Sequence, residues 1–358
     1  MKRIITLLVL LGIIFLVYTL YNKENAKDIN KETVIKPETA SPAPEIKQGT
    51  ITIINLDEAT QQPIKDAVFT IQAADRTAVI DTITTDAEGK ATSRLLDYGT
   101  NYTIKQQTVS LPYQLSEEVH QLIVDAPNLQ VSAANPVLRH VKNFERADDG
   151  SLAITSVYID VKTVMQKPEL PNGCEITSLT AVLNYYGHDV TKTEMADVYL
   201  PKQAFYSKNN KLYGPNPYIA YAGDPRELKG GFFSFAPPIV DAANLYFDAF
   251  SLSGSTADIS GSTREQMIEQ LSKGIPVVTW ITLDLSPPKV NYSWYFSDTG
   301  EYYAAPVNLH VVVLNGYEDG IVHVMNPLEG QVSYDADTFF NSYDEMGSHA
   351  MIVGKSLT

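Results

Sequence analysis

Cysteine is nearly absent from this chain: one in 358 residues, at position 174. An internal disulfide is thereby excluded, and so is a cysteine-rich zinc cluster. Histidine is also scarce, six residues without paired ligand spacing, so neither a metal nor another cofactor is expected. Basic residues are outnumbered, 27 Lys and Arg against 42 Asp and Glu, for a formal charge of -15. That balance argues against nucleic acid as a partner, because phosphate binding needs a basic surface. It also argues against a polybasic contact with lipid headgroups. Charge is missing altogether from residues 4–21, which follow Met1-Lys2-Arg3. Such a run is long enough to span a bilayer, and its basic flank sets the N-terminal end inside. Residues 1–21 therefore read as a signal-anchor transmembrane helix, with the bulk of the chain outside the cytoplasm on the cell surface. Cleavage of this segment would instead make the protein secreted.

Apolar residues make up 44% of the chain, enough for packed cores, and the length suggests about two domains. Residues 22–48 are polar and end in Pro37, Pro42 and Pro44, the composition of a disordered linker. Residues 49–148 read as an all-β sandwich. Short apolar runs at 50–54, 67–71, 78–80 and 102–104 are bounded by turn residues such as Asp86-Ala87-Glu88-Gly89 and Tyr98-Gly99. Residues 149–358 read as an α+β domain. Helices are expected from Cys174 to Tyr186, at 191–200, 239–250 and 264–273; strands are expected at 275–282, 309–315 and 321–325. Residues 201–238 are rich in Gly, Pro, Asn and aromatics and read as a long loop region of the kind that shapes binding surfaces.

The lone cysteine stands at a helix start. Pro171, Asn172 and Gly173 break the chain before it, and Ile176, Leu179, Thr180 and Leu183 recur behind it at helical spacing. Unpaired N–H groups and the positive end of the helix dipole both favour thiolate there. The competing reading is a small buried apolar residue, the common fate of a free cysteine. A nucleophilic thiol needs a base, and the base needs an orienting group. His120 and His140 belong to the β module, His188 follows a turn and reads as exposed, and His349 has no pattern around it. His310 and His323 remain, both on strands. If residues 318–320 form a three-residue hairpin loop, His310, Val312 and Asn326 share one face and His323 takes the other. Asn326 then lies one diagonal step from His310, within side-chain reach. A two-residue turn at Asp319-Gly320 would swap the faces and separate them. Gln166, eight residues before the cysteine, carries an amide able to donate to an oxyanion, as does the Cys174 N–H.

Two resemblances follow. In the first domain Asp57, Pro63, Ala67 with Phe69, Thr85-Asp86-Ala87-Glu88-Gly89, and Gly99 with Tyr102 resemble the prealbumin-like, collagen-adhesin B-type modules of Gram-positive surface proteins. Many such modules carry a Lys–Asn isopeptide bond promoted by a Glu. The corresponding Lys and Glu positions here are Asn55 and Gln106, so the resemblance implies a spacer or adhesion module without the crosslink. In the second domain the pattern is Gln166 and Leu170-Pro171-Asn172-Gly173-Cys174-Glu175-Ile176-Thr177-Ser178-Leu179, then Leu183-Asn184-Tyr185-Tyr186-Gly187. To it belong Tyr199-Leu200-Pro201-Lys202, Gly223-Asp224-Pro225, Gly274-x-Pro276-Val277, Trp280, His310-x-Val312-x-Leu314-x-Gly316-Tyr317 and Asn326-Pro327-Leu328-x-Gly330. Together they resemble the papain-like peptidases of family C-thirty-nine, more narrowly its bacterial C-thirty-nine-like group.

The resemblance implies a papain-like fold of helices plus an antiparallel sheet. It also implies Cys174 as nucleophile, His310 as base, Asn326 as orienter and Gln166 as oxyanion donor. The family usually carries Asp where Asn326 stands, which removes a charge beside the imidazole. Glu175 replaces the Gly that follows Cys in the leader peptidases, though not in the narrower group, and a carboxylate beside the thiol would raise its pKa and narrow the substrate. Leader peptidases proper are fused to transporter domains, of which this chain has neither the topology nor a Gly-Lys-Ser/Thr phosphate loop. The expected function is therefore a membrane-anchored extracytoplasmic thiol hydrolase acting on peptide or protein substrates, cell-wall components among them. The same chemistry can run as transfer to an amine. The alternative is a non-catalytic surface adhesion module built on a peptidase fold.

Overall fold

The structure, a computed structural model, describes residues 47–147 and 149–355. The apolar run at residues 4–21 and nearly all of the linker after it lie outside the described residues. Among the described residues no helix is long and apolar enough to cross a membrane.

Eight strands build the first part: β1 (Gln48–Asp57), β2 (Val68–Ala73), β3 (Val79–Thr84), β4 (Lys90–Thr92), β5 (Leu96–Asp97), β6 (Asn101–Thr108), β7 (Val119–Ile123) and β8 (Asn128–Asn135). One sheet has the order β3-β2-β6-β7. In the other, β1 pairs antiparallel with β4 and β5 and parallel with β8. The alternation of β1 buries Ile51 and Ile53, which join Phe69, Ile71, Tyr102 and Ile104 in one apolar core. The Asp86–Gly89 turn is held by the Asp86 carboxylate, which accepts from Glu88 N–H at 3.0 Å and Lys90 N–H at 2.8 Å. Inside the sandwich Gln106 and Asn135 exchange amide hydrogen bonds of 3.0 and 2.7 Å. The amide of Asn55 is fully buried and has no partner among the described residues. The crosslink positions of the resemblance are thus occupied by buried amides.

The joint to the second part is packed. The hairpin of β9 (Val141–Arg146) and β10 (Leu152–Tyr158) belongs to the second part's sheet, although the sequence reading counts residues 141–148 with the β module. Phe144 of that hairpin meets Tyr113 edge-on at 6.1 Å, and Leu152 packs on the first core.

The second part is richer in strands than expected. After β10 come α1 (Cys174–Tyr185), a helical turn Lys192–Glu194 that runs into the π-helix Met195–Tyr199, and the short strands β11 (Lys202–Gln203), β12 (Tyr206–Lys208), β13 (Lys211–Gly214) and β14 (Tyr221–Ala222). Then follow α2 (Ala236–Ala249), β15 (Gly254–Asp258), α3 (Arg264–Ser272), β16 (Val277–Thr282), β17 (Val290–Phe296), β18 (Tyr302–Pro306), β19 (Leu309–Glu318), β20 (Ile321–Asn326), β21 (Gly330–Asp335), α4 (Ala336–Glu345) and β22 (Ala350–Lys355). The expected helix at 191–200 is corrected to one turn plus the π segment. The region read as a long loop supplies two strands to a second sheet, β12-β13-β17-β18.

The main sheet has the order β15-β22-β16-β19-β10-β9, with β20 on the other edge of β19 and β21 beyond it. β19 is its spine. Its run from His310 to Gly316 is buried, because α1 covers one face there while strands flank both edges. α1 has ten buried residues, Cys174 through Leu183, so this helix is a core element and not a surface one.

Candidate active site

Cys174 opens α1, and the approach to it is tightly built. Gly173 N–H donates to Leu170 C=O at 3.0 Å, Asn172 N–H to Pro225 C=O at 3.2 Å, and Tyr221 OH to Asn172 C=O at 2.6 Å. A Cβ at Gly173 would stand 2.7 Å from the Leu170 Cβ, so only glycine fits where the chain folds back before the helix. As the first residue of α1, Cys174 has an N–H without an intrahelical acceptor. One turn on, the Ser178 hydroxyl donates to Val311 C=O at 3.2 Å, pinning the cysteine-bearing face of α1 to β19 beside His310.

His310 is buried and lies near the start of β19. Its Nε2 is 2.8 Å from Asn326 Oδ1. Leu328 N–H also donates to that Oδ1, at 2.9 Å, and Asn326 Nδ2 faces the Tyr334 hydroxyl at 3.4 Å. These neighbours fix which end of the amide is oxygen. His310 must therefore donate from Nε2, which leaves Nδ1 with its lone pair as the basic nitrogen of the neutral ring.

The register that joins the two differs from the expected one. The turn has two residues, Asp319 and Gly320, both left-handed at φ 47° and 79°, and Glu318 pairs with Ile321. Alone, that turn would put His310 and Asn326 on opposite faces. A β-bulge between Gly316 and Leu314 steps the register by one residue, so that Leu314 pairs with Val324 and Val313 with Met325. The bulge residue, Asn315, is held by Ile159: Ile159 N–H donates to its C=O at 2.7 Å, and its Nδ2 donates to Ile159 C=O at 2.9 Å. His323 points away and bonds the Ser333 hydroxyl at 2.8 Å through Nδ1.

Gln166 sits on the connection between β10 and α1. Its N–H donates to Pro327 C=O at 2.8 Å, tying it to the residue after Asn326. Its side-chain Nε2 donates one hydrogen to Pro171 C=O at 2.7 Å, which leaves the second N–H of that amide available. Gln166, Cys174 and His310 line one cleft of about 310 Å³ with Phe232, Leu309 and Leu328. No other histidine lines it. His140 caps the end of α3 through Ser272 C=O, and His349 bonds the Tyr218 hydroxyl. His188, expected to be exposed, is half-buried and packs on Tyr246 and Phe247.

Glu175 stands beside the thiol as expected, and its burial is what the sequence did not announce. Its side chain is fully buried; Oε1 accepts from Ser234 N–H at 3.0 Å, and Oε2 accepts from the Cys174 thiol at 3.3 Å. Burial raises its carboxyl to about 7. Burial, and then the Glu175 carboxylate, push the Cys174 thiol well above its ordinary value. Burial lowers His310 to about 4, against the opposing hydrogen bond to Asn326. In the resting geometry the thiol and imidazole are both neutral. Among the described residues no group of three or more His, Cys, Asp or Glu is arranged to hold a metal ion.

Comparison with known proteins adds to this geometry. Residues 158–351 match the profile of the Peptidase_C39 like family, and residues 49–136 match that of the prealbumin-like fold domain. The uncharacterized protein YvpB of Bacillus subtilis is 29% identical over 192 residues, 53% of this chain and 72% of that protein. The crystal structure of a candidate C39-like peptidase from Bacillus anthracis is 25% identical, with a TM-score of 0.49. That alignment covers 55% of this chain and 97% of the other. GBS52, the minor pilin of Streptococcus agalactiae, is 17% identical over 28% of this chain and 49% of its own, with a TM-score of 0.23.

Proposed function

Because the chain belongs to the Peptidase_C39 like family, we propose that it is a thiol hydrolase that cleaves peptide or amide bonds outside the cytoplasm. The observation that carries this reading is the 2.8 Å bond between His310 and Asn326 at a cleft that Cys174 also lines. It leaves Nδ1 of His310 as the free base of a buried, oriented imidazole.

In this mechanism His310 Nδ1 takes the Cys174 proton, and the thiolate attacks the substrate carbonyl. The oxyanion is met by the Cys174 N–H and the second N–H of Gln166. His310 then protonates the leaving amine, and water releases the acyl group from sulfur. Asn326 accepts from Nε2 throughout and holds the ring in the required tautomer. Apolar side chains of Phe232, Phe233, Leu283, Val307, Leu309 and Leu328 line the cleft beside the polar groups of Gln166, Lys167 and Asn172. That favours a peptide segment with apolar side chains near the scissile bond, from a surface protein or a cell-wall peptide. Residues 1–21 serve as the membrane anchor in this reading, and the prealbumin-like domain as a spacer.

A second reading has one observation in its favour: the thiol donates to Glu175 and not to His310. On that reading the fold is a binding module. The deciding experiment is alkylation of Cys174 by iodoacetamide in the purified full chain at pH 6, with peptide cleavage followed by mass spectrometry. Hydrolase function predicts faster labelling than an ordinary thiol shows at that pH, and loss of both labelling and cleavage in H310A. Ordinary thiol reactivity in both proteins, without cleavage, favours the binding module.

A further inference from the structure

Two proton acceptors flank one thiol. Across the cleft stands His310, whose Nδ1 is left free by the Nε2–Asn326 bond. On the other side stands Glu175, and it is this carboxylate that receives the thiol hydrogen, at 3.3 Å. Its second oxygen is fixed by Ser234 N–H at 3.0 Å, and Ser234 is held in turn by the Trp280 indole, which donates to its C=O at 2.8 Å. The carboxyl is fully buried and forms no ion pair with any described cation. The titratable groups around it are few. Cys174 lies on its own helix, and His310 on β19 lines the cleft with that thiol. Tyr221 on β14 gives its hydroxyl hydrogen to Asn172 C=O at 2.6 Å and so offers Glu175 no donor. Asp224 acts on this Tyr221 in turn. A buried carboxyl whose charged form is opposed by desolvation and favoured by its own N–H, the Ser234 N–H and the thiol is poised between its two protonation states.

Those two states do opposite things to the sulfur. The carboxylate accepts the Sγ–H and, as a neighbouring anion, opposes a thiolate. The neutral acid turns its own O–H toward sulfur and supports a thiolate. We propose that Glu175 is a positioning residue that gates the nucleophile: ionised, it holds the Cys174 proton away from His310; protonated, it becomes a donor to Sγ and releases that proton to the imidazole. The proton count balances. Glu175 gains one proton from solvent, the Cys174 proton passes to His310 Nδ1, and the resulting thiolate accepts Oε2–H from Glu175 and Nδ1–H from the imidazolium. Because burial raises the Glu175 carboxyl to about 7, the change of state falls near neutrality and favours attack on its acid side. This inference rests on the proposed role of Cys174 as nucleophile.

The test is the rate of Cys174 alkylation by iodoacetamide, an uncharged reagent, in the full chain from pH 4 to 10. The wild type is expected to show a reactive phase below neutrality that declines as Glu175 ionises, followed by an ordinary thiolate rise at high pH. E175Q keeps an oxygen for Ser234 N–H and offers an N–H to sulfur, so the decline should vanish and the rate near pH 8 should rise about tenfold or more. A single monotonic ionisation in the wild type overturns the gate, and that result needs no variant to fold. So does an E175Q profile that superimposes on the wild type, since a merely structural Glu175 would change thermal stability without moving the profile. H310A separates the two levels. If it abolishes reactivity while E175Q changes nothing, the hydrolase reading stands and the gate falls; if it changes nothing, the nucleophile reading falls and the gate falls with it.

Discussion

Asn326→Asp restores a charge beside His310 that the surrounding groups are already arranged to receive. The Asn326 oxygen stands 2.8 Å from Nε2 and also accepts Leu328 N–H at 2.9 Å, while the Tyr334 hydroxyl lies 3.4 Å from the other end of the amide. An aspartate keeps both bonds to the first oxygen, and Tyr334 can rotate its hydrogen to donate to the second. Three donors then offset the desolvation of the carboxylate. A unit charge pair at 2.8 Å with an effective dielectric of about 20 is worth about 6 kcal/mol before desolvation. Carboxylates paired with a titrating group move its pKa by about 1–3 units, or about 1.4–4 kcal/mol, which is the part expected to survive. His310, held near 4 by burial, should therefore titrate between about 5 and 7 in N326D. The imidazole resonance can be followed by NMR in a C174A background, so that the thiol does not couple to it. With Cys174 intact, the proposed mechanism requires the same substitution to raise kcat/KM near neutral pH by stabilising the imidazolium that attack creates. An imidazole midpoint that stays near its wild-type value, in a variant that folds normally, would refute the placement of Asn326 as the electrostatic partner of His310.

Three further outcomes follow from the same geometry. Gln166→Ala removes one of the two proposed oxyanion donors; kcat for the proposed peptide hydrolysis should fall by about 10²–10³ with KM little changed, and a loss confined to KM would remove Gln166 from that role. Gly173→Ala places a Cβ 2.7 Å from Leu170 and should cost about 1–3 kcal/mol in denaturant unfolding, with a larger loss in Cys174 reactivity because the helix start must shift. Glu175, with a folded pKa raised to about 7, binds more protons folded than unfolded from roughly its ordinary carboxyl value upward, so it contributes stability at low pH that is lost as pH rises through 7. The Tm of the wild type relative to E175Q should accordingly decline between pH 5 and pH 8, and a constant difference in calorimetry would contradict a raised carboxyl.

Much of the frame was readable because it is local. Gly173 before Cys174 and the helical spacing of Ile176, Leu179 and Leu183 mark the start of α1 without any tertiary information. The alternation in β1 does the same for the first sandwich. What stayed hidden depends on distant partners. Strands β12, β13, β17 and β18 form their own sheet, yet the first two lie among Gly, Pro and Asn residues that read as loop. α4 was not anticipated, because its apolar face, Phe339, Phe340 and Tyr343, occupies only part of a short polar helix. Residues 141–146 fall within the span read as the β module and become the edge of the other sheet only through pairing with β10. The sequence places the Glu175 carboxylate beside the thiol, where it raises the thiol pKa as expected, but says nothing of that carboxylate's burial. Its burial is set by Ser234 and Trp280, 59 and 105 positions away in sequence, and no local pattern announces them.

The pairing of His310 with Asn326 marks the limit of reading by period two. The parity of a hairpin is set by its turn and by every bulge beyond it, and a change in either reverses all the faces that follow. The expected three-residue loop and the observed two-residue turn with a bulge at Asn315 differ in both respects, and the two differences cancel on the same face. Asn315 carries the weight of that cancellation. In sequence it is an ordinary strand residue between Leu314 and Gly316; in space it exchanges hydrogen bonds with Ile159 through its C=O and its Nδ2 at 2.7 and 2.9 Å. The segment around Ile159 continues β10 toward Gln166, and Gln166 is tied by its own N–H to Pro327. The connection that holds the bulge thus also places the proposed oxyanion donor, and both meet the strand end that carries Asn326. A single β10–α1 connection aligns the imidazole's partner and the amide that would face the substrate, which is why residues as far apart as 166, 310 and 326 come together around one cleft.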